Sequence, residues 1–297
     1  MTTKADKKRI ITVITAVLCI VVFIVLMFYL RIPDLFKASQ NGTKVSFDDD
    51  FIKFMDVGQG DGAIIYSDGY CAVIDLGEAT VSDEVLKDLA LLNVNQIDML
   101  VISHYHTDHI GGYKDVSEKY KIKNMIGPKI TDRSLKLAKT ARDEIVGDGG
   151  RFFEGIFGLN FTVGEWKITV LGYYDNEDEN NRSIYLMAEI DGVKFLFTGD
   201  GEREAEEKLL SRTKDIDCDV LKVAHHGSNT ASGYEFLEHA KPEYAVISSG
   251  VGNDYGHPHS ATVKALEKMN TEIYRTDTKG DIIFLVDGGE IKIETEK

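Results

Sequence analysis

The first hydrophobic feature of the chain has no polar period at all. Residues 10–30, IITVITAVLCIVVFIVLMFYL, carry no charge and no polar stripe, and about 20 such residues cross a bilayer as a helix. Lys4, Lys7, Lys8 and Arg9 precede the run. The positive-inside rule therefore predicts a cytoplasmic N-terminus at residues 1–9, one membrane-spanning helix at residues 10–31, and everything beyond it outside the cell membrane. A cleaved signal peptide is the competing reading. Its apolar core normally runs about 7–15 residues and ends at small residues, whereas this run ends in Phe28-Tyr29-Leu30-Arg31. Residues 32–49 are mostly polar without helical period and read as a linker, and residues 50–297 as one domain.

From residue 50 the pattern changes to short apolar runs alternating with amphipathic stretches. FIKFMDV, GAIIYS and CAVIDLG are separated by Gly-rich or Asp-Gly turns, which predicts adjacent antiparallel strands. Ser82-Asp83-Glu84 opens a helix whose apolar face is Val85, Leu86, Leu89 and Leu92, with acids in its first turn. IDMLVIS at residues 97–103 reads as one buried strand. A helix near 110–120, a strand near 122–126 and a helix over residues 134–146 follow. A second series starts near Phe152: the strand WKITVLG, then a hairpin around Asp191-Gly192, a strong turn signal. Helices at residues 202–210, 234–239 and 261–269 alternate with strands at 220–224 and 244–249. Strands at 272–276, 282–286 and 290–294 close the chain. Strands then helices, twice over, with no 20–50-residue repeat, predict an α+β protein: two sheets packed together, with helices on both outer faces.

Composition narrows the class. Of 297 residues, 43% are hydrophobic and 28% charged, with four prolines, which excludes collagen-like and wholly disordered chains. Three cysteines, one of them Cys19 in the apolar run, and no CxxC pair exclude a disulfide scaffold and a thiolate zinc ribbon. The net charge is −15 although residues 1–31 hold five bases and one acid. The remainder is thus more acidic still, which argues against a broad basic footprint for nucleic acid. A polyanion held locally by metal ions stays open.

The chemistry concentrates in Ser103-His104-Tyr105-His106-Thr107-Asp108-His109. Three of the eight histidines of the chain fall here, beside an aspartate and directly after a buried strand. Strand ends are where α/β folds place ligands. His104 and His106 alternate, so both point the same way as the strand runs out. Imidazole and carboxylate suit zinc, manganese or iron. So many donors in so short a stretch favour two ions over one. Two more strand ends add donors: Asp200 in Thr198-Gly199-Asp200, otherwise read as a helix N-cap, and the pair His225-His226 in Ala224-His225-His226-Gly227-Ser228. His257 and His259 stand near the next helix start, and His239, at a helix end, reads as structural. There is no GxSxG elbow or Cys/His signature for a protein nucleophile.

The order His104-x-His106-x-Asp108-His109, Thr198-Gly199-Asp200, His225 resembles the metallo-β-lactamase superfamily. Asp56-Val57-Gly58-Gln59-Gly60-Asp61, Ala224-His225-His226-Gly227-Ser228, Tyr255-Gly256-His257-Pro258-His259 and Arg275-Thr276-Asp277 are similar to the extracellular hydrolase domain of late-competence DNA-uptake proteins (ComEC-type). A related branch contains choline-binding phosphodiesterases of bacterial surfaces. The resemblance covers residues 50–297 and implies an αββα sandwich. It implies two divalent ions, zinc or manganese: the first on His104, His106 and Asp200, the second on Asp108, His109, Asp200 and His225. Asp108 would also orient the attacking water and His257 contact the phosphate or protonate the leaving group. Asp56, Asp61, Asp75, Asn181, Ser183, His226 and His259 would stand behind the ligands or face substrate, with turn chemistry the alternative for Asp61 and Asp75.

One departure stands out. Most of the superfamily supplies a further histidine to the first ion, and between His109 and His225 this chain has none; Asn180-Asn181-Arg182-Ser183 occupies the place. An amide oxygen is a harder, weaker donor than imidazole. The resemblance implies a membrane-anchored, extracytoplasmic metal-dependent hydrolase, a phosphodiesterase or nuclease, whose substrate is nucleic acid or a cell-surface polymer, with no obligate protein partner. A hydrolase of a non-phosphate ester, amide or thioester, and a non-catalytic binding module on the same fold, are the alternatives. One membrane helix cannot form a DNA channel, so the chain is not expected to be the channel itself, and a hydrolase domain on its own anchor is the reading left.

Overall fold

Asp-Gly turns set the first strands in place. In the computed structural model, which describes residues 49–297, β1 (Asp50–Phe54), β2 (Gly62–Ser67) and β3 (Tyr70–Leu76) form an antiparallel meander. Asp68 and Gly69 both adopt positive φ, 47° and 80°, the backbone of the tight hairpin turn that matches strand twist. Helix α1 (Ser82–Leu91) then crosses over. The run 97–103 does not make one strand: Asp98 separates β4 (Gln96–Ile97) from β5 (Met99–Val101). Its carboxylate accepts the N–H of Cys71 at 3.2 Å and the Gln96 amide at 2.8 Å, which ends the first ladder and lets β5 pair parallel to β3.

The helix expected near 110–120 is two pieces, α2 (Thr107–Ile110) and α3 (Tyr113–Lys119), flanking Gly111-Gly112. A Cβ on Gly111 would collide with the Thr107 and Ala79 backbone, and one on Gly112 with the Leu76 carbonyl. Glycine here lets the histidine-rich segment press against the end of β3. β6 (Lys121–Ile122) pairs with β4, and β7 (Asn124–Gly127), α4 (Lys136–Gly147) and β8 (Arg151–Glu154) complete this part. β8 therefore belongs to the first sheet, parallel to β7, and does not open the second series.

The second sheet comprises β9 (Asn160–Val163), β10 (Trp166–Gly172), β11 (Tyr185–Ile190) and β12 (Val193–Phe197), all antiparallel. Helices α5 (Arg203–Arg212), α6 (Tyr234–Ala240) and α7 (Ser260–Lys268) then alternate with parallel β13 (Val220–Lys222), β14 (Tyr244–Ile247) and β15 (Glu272–Arg275). After the short α8 (Thr276–Lys279), β16 (Ile282–Asp287) and β17 (Glu290–Thr295) return to the first sheet, where β16 pairs with β1. The two sheets run β17-β16-β1-β2-β3-β5-β7-β8 and β15-β14-β13-β12-β11-β10-β9.

The αββα layering follows from which residues share a core. Ile52, Phe54 and Ile74 of one sheet pack with Ile168, Phe195 and Phe197 of the other, and the Trp166 indole donates to the Tyr66 carbonyl at 3.1 Å across them. Val85 and Leu89 of α1 and Ala138, Ala141 and Ile145 of α4 cover the outer face of the first sheet. Leu209, Phe236, Leu237 and Leu266 cover the second. Among the described residues no helix is long and apolar enough to cross a membrane. The expected anchor at residues 10–31, the tail at 1–9 and all but the last residue of the 32–49 linker lie outside the described residues. What the fold contributes to chemistry is one edge: the C-terminal ends of β5, β12, β13 and β14 all open there.

Candidate metal centre

Past β5 the chain leaves the ladder, and Asp75 at the end of β3 takes over its hydrogen bonds. Asp75 Oδ1 accepts the Ser103 N–H at 2.7 Å, and Oδ2 accepts the Ser103 hydroxyl at 2.6 Å and faces His109 Nδ1 at 2.9 Å. Asp75 holds a left-handed φ of 58°, costly for a residue with a Cβ and a recurrent mark of functional sites. A carboxylate on Nδ1 fixes the ring and leaves Nε2 for something else. His109 Nε2 lies 3.4 Å from Asp200 Oδ2 and 3.8 Å from Asp108 Oδ2.

His226 repeats that arrangement from the other sheet. Its Nδ1 lies 3.1 Å from the Ser248 carbonyl and 3.3 Å from Asp61 Oδ1, and its Nε2 is 3.4 Å from Asp108 Oδ2 and 3.5 Å from Asp200 Oδ2. Asp61 is itself held by the buried Lys222 ammonium at 2.8 Å. One ligand atom from each of Asp108, His109, Asp200 and His226 lies within 4.8 Å of all the others. Of the adjacent pair, His226 falls in this group, where the resemblance implied His225. His226 Nε2 is the nearer of the two to Asp200, while His225 Nδ1 faces Glu202 at 3.2 Å and its Nε2 lies 4.0 Å from Asp200 Oδ2. The cause is local: both residues are left-handed, φ 50° and 52°, and these consecutive turns swing the rings apart.

Beside His109, the fully buried His104 has its Nε2 4.0 Å from Asp200 Oδ2 and 3.0 Å from His106 Nδ1. Ser183 Oγ lies 3.3 Å from His104 Nδ1 and accepts the Asp200 N–H at 2.9 Å. Asp200 Oδ2 therefore faces imidazoles from several directions, and the His104 and His109 rings are packed together with centroids 4.0 Å apart. A cleft of about 420 Å³ opens over it, lined by His106, Asp108, Asn180, His225, His226, Tyr255 and His257 among others. The His257 ring stacks on Tyr255, 5.7 Å away and 19° from parallel. Asn253 clamps its backbone, accepting its N–H at 2.9 Å and donating to its carbonyl at 2.7 Å.

Electrostatics and orphaned atoms agree on what this cluster accepts. Burial opposes protonation of His109, yet the Asp200 and Asp75 carboxylates raise its imidazole well above the usual range. Asp200 and Asp61 do the same for the equally buried His226. Burial also resists ionisation of Asp200, but His109 and His226 hold its carboxyl well below the usual range. Burial, then neighbouring His226, His225 and His259, push the His257 imidazole down to about 4. His109 Nε2, His226 Nε2 and Asp200 Oδ1 are buried without a hydrogen-bond partner. Buried polar atoms are otherwise almost always paired, and imidazole nitrogens beside a carboxylate oxygen are the donor set of a divalent transition-metal ion. The residues fit such an ion.

The remaining sequence candidates have other neighbours. Asp56 pairs with Lys297 at 3.2 Å, and its N–H bonds Asp281 at 2.8 Å, so it ties the C-terminal strands to β1 and stands apart from the cluster. Asn181 Oδ1 accepts the Glu202 N–H at 3.1 Å at the entry to α5. His259 Nδ1 accepts the Asn229 N–H at 3.0 Å. His239 faces the carbonyl of its own helix at Glu235, 2.9 Å away, a structural position as read. Sequence reasoning passed over Lys222, Ser248 and Tyr255. A lysine inside LKVA reads as a solvated strand position, and a carbonyl anchor has no side-chain signature.

Two mixed sheets face to face, helices outside them and a histidine–aspartate cluster at one edge define a metal-binding αββα protein. The chain belongs to the metallo-beta-lactamase superfamily, whose family model matches residues 55–251. It is 29% identical over 254 residues to ComE operon protein 3 of Bacillus subtilis, covering 78% of this chain and 32% of that protein. It is 29% identical over 246 residues to competence protein ComA of Neisseria gonorrhoeae, covering 80% and 33%. The chain thus spans about a third of the length of these curated relatives. Among solved structures, the metallo-beta-lactamase fold protein YhfI from Bacillus subtilis superposes with a TM-score of 0.52 at 14% identity, over 82% of this chain and all of that one, a likeness of fold.

Proposed function

We propose that this chain is a metal-dependent hydrolase of phosphodiesters, anchored in the cell membrane by residues 10–31 with its hydrolase domain outside. The observation that carries the reading is the convergence of three buried, unpaired donor atoms, His109 Nε2, His226 Nε2 and Asp200 Oδ1, beneath an open cleft. The competence-named relatives and the apolar run with its basic flank support the setting. His104, His106 and Asp200 would hold one divalent ion, zinc or manganese. Asp108, His109, Asp200 and His226 would hold the other. Two such ions supply a water activated at neutral pH and positive charge against that developing on a phosphoryl group.

The chain's own groups do the positioning. Asp75 and the Ser248 carbonyl hold His109 and His226 by Nδ1, so the facing nitrogens keep their aim without rearrangement. Asp108, whose side chain is 27% exposed, faces the cleft and accepts a hydrogen bond from the attacking water. His257, stacked on Tyr255 at the cleft wall, contacts a phosphate oxygen or the leaving group. The test is a panel: bis-p-nitrophenyl phosphate, single- and double-stranded DNA, phosphorylcholine esters, a thioester and nitrocefin, each with zinc and with manganese. Metal-dependent cleavage of phosphodiesters is expected. Turnover of only nitrocefin or the thioester would reject the phosphodiester assignment.

A further inference from the structure

The two halves of the donor cluster are closed to different degrees. Around His109 three side chains converge, Asp108, Asp200 and His226, two of them carboxylates. Around His104 the partners are His106 and the shared Asp200. Residues 179–183 lie against that second half. Glu179 Oε1 accepts the N–H of Tyr105, the residue between the two histidines, at 3.1 Å. Ser183 at the other end contacts both His104 and Asp200. Between these anchors sits Asn180, which lines the same cleft as His106 and Asp200. Its Oδ1 is buried and has no hydrogen-bond partner, although its main-chain N–H is satisfied by Asp178 at 2.9 Å. An unpaired buried polar atom costs about 1–3 kcal/mol, so an oxygen kept in that state beside an open cleft implies a partner that the protein does not supply.

We propose that Asn180 Oδ1 is a ligand of the ion held by His104, His106 and Asp200. The inference rests on the two-ion reading above. It gives this half two imidazole nitrogens and two oxygens but only the shared negative charge, whereas the His109 half has two carboxylates. The His104 ion is therefore the weaker bound. A neutral carbonyl-type oxygen also tilts its preference toward manganese, where an imidazole would favour zinc or cobalt.

The test uses the full chain in detergent, stripped with a chelator. Titration follows free Mn²⁺ by electron paramagnetic resonance and bound Co²⁺ by its visible spectrum, and thermal unfolding checks the fold. Wild type should bind two ions with unequal affinity. Asn180→Ala should weaken the weaker ion about 10-fold or more and leave the tighter one within about twofold. Asn180→His should tighten the weaker site for Co²⁺ and change its visible band, because nitrogen replaces oxygen. Two ions bound by wild type, with a folded Asn180→Ala of unchanged affinities, would overturn the assignment of Asn180 alone. So would Asn180→His with an unaltered Co²⁺ spectrum, should the alanine variant not fold. A wild-type chain that takes up no ion would overturn this inference and the two-ion reading together.

Discussion

Asp200 is the residue on which the cluster turns. Its Oδ2 faces His104 and His225 at 4.0 Å, His109 at 3.4 Å and His226 at 3.5 Å, so one carboxylate serves both halves. Asparagine keeps the shape and removes the charge that offsets two dications. Asp200→Asn should lower metal uptake and cut turnover by at least about 100-fold, with thermal unfolding little changed, since β12 and α5 do not depend on that charge. The neighbouring histidines discriminate further. His226→Ala should lose the ion of the His109 half, while His225→Ala, at an imidazole turned to Glu202, should retain it. Metal equivalents measured on all three variants settle the matter. A His225→Ala protein that loses that ion while His226→Ala keeps it would reverse the assignment. The sequence resemblance implied His225 as the ligand and put His226 behind it. The left-handed backbone at both is what separates them, and no periodicity encodes it.

At the level of elements, Glu206 links two helices of the second outer layer. In sequence it is one of several acids near the start of α5, yet it is 3% exposed. Its carboxylate accepts the N–H groups of Ser232 and of Gly233, the latter at 2.8 Å, and so caps the entry to α6. Burial, opposed by those two N–H bonds, pushes its carboxyl from the ordinary 4.5 up to about 7. The folded chain then holds this proton more tightly than the unfolded chain. The group's stability is fully present below about pH 4.5 and is lost as pH rises through about 7, worth about 3 kcal/mol across that interval. Glu206→Gln, which cannot ionise, should flatten the fall. Denaturation at pH 5, 6, 7 and 8 checks it: parallel wild-type and Glu206→Gln curves would show that the titration lies elsewhere. The helices themselves were legible, because their apolar period is local. That a polar position on one caps another was not, because α5 and α6 meet only in the folded chain.

For the whole molecule the decisive question is where the domain sits. With residues 10–31 as the proposed anchor and basic residues before it, protease added to intact cells should remove the domain. If the domain survives until the cells are opened, the proposed orientation is wrong. Most of the strands and helices, both Asp-Gly hairpins, the clustered donors of residues 104–109 and Asp200 at a strand end followed from the sequence alone. Hydrophobic period, turn chemistry and ligand type act over a few residues and are written directly in the chain. Tertiary structure alone decided that β8 joins the first sheet and that β16 returns to β1. It alone buried Lys53 between Asp88 at 2.6 Å and Asp281 at 2.7 Å, and it set His226 and Asn180 along one cleft. Each of those outcomes depends on residues far apart in sequence being brought together. Local pattern fixes what an element is, while the burial of both sheet faces fixes which element lies beside it.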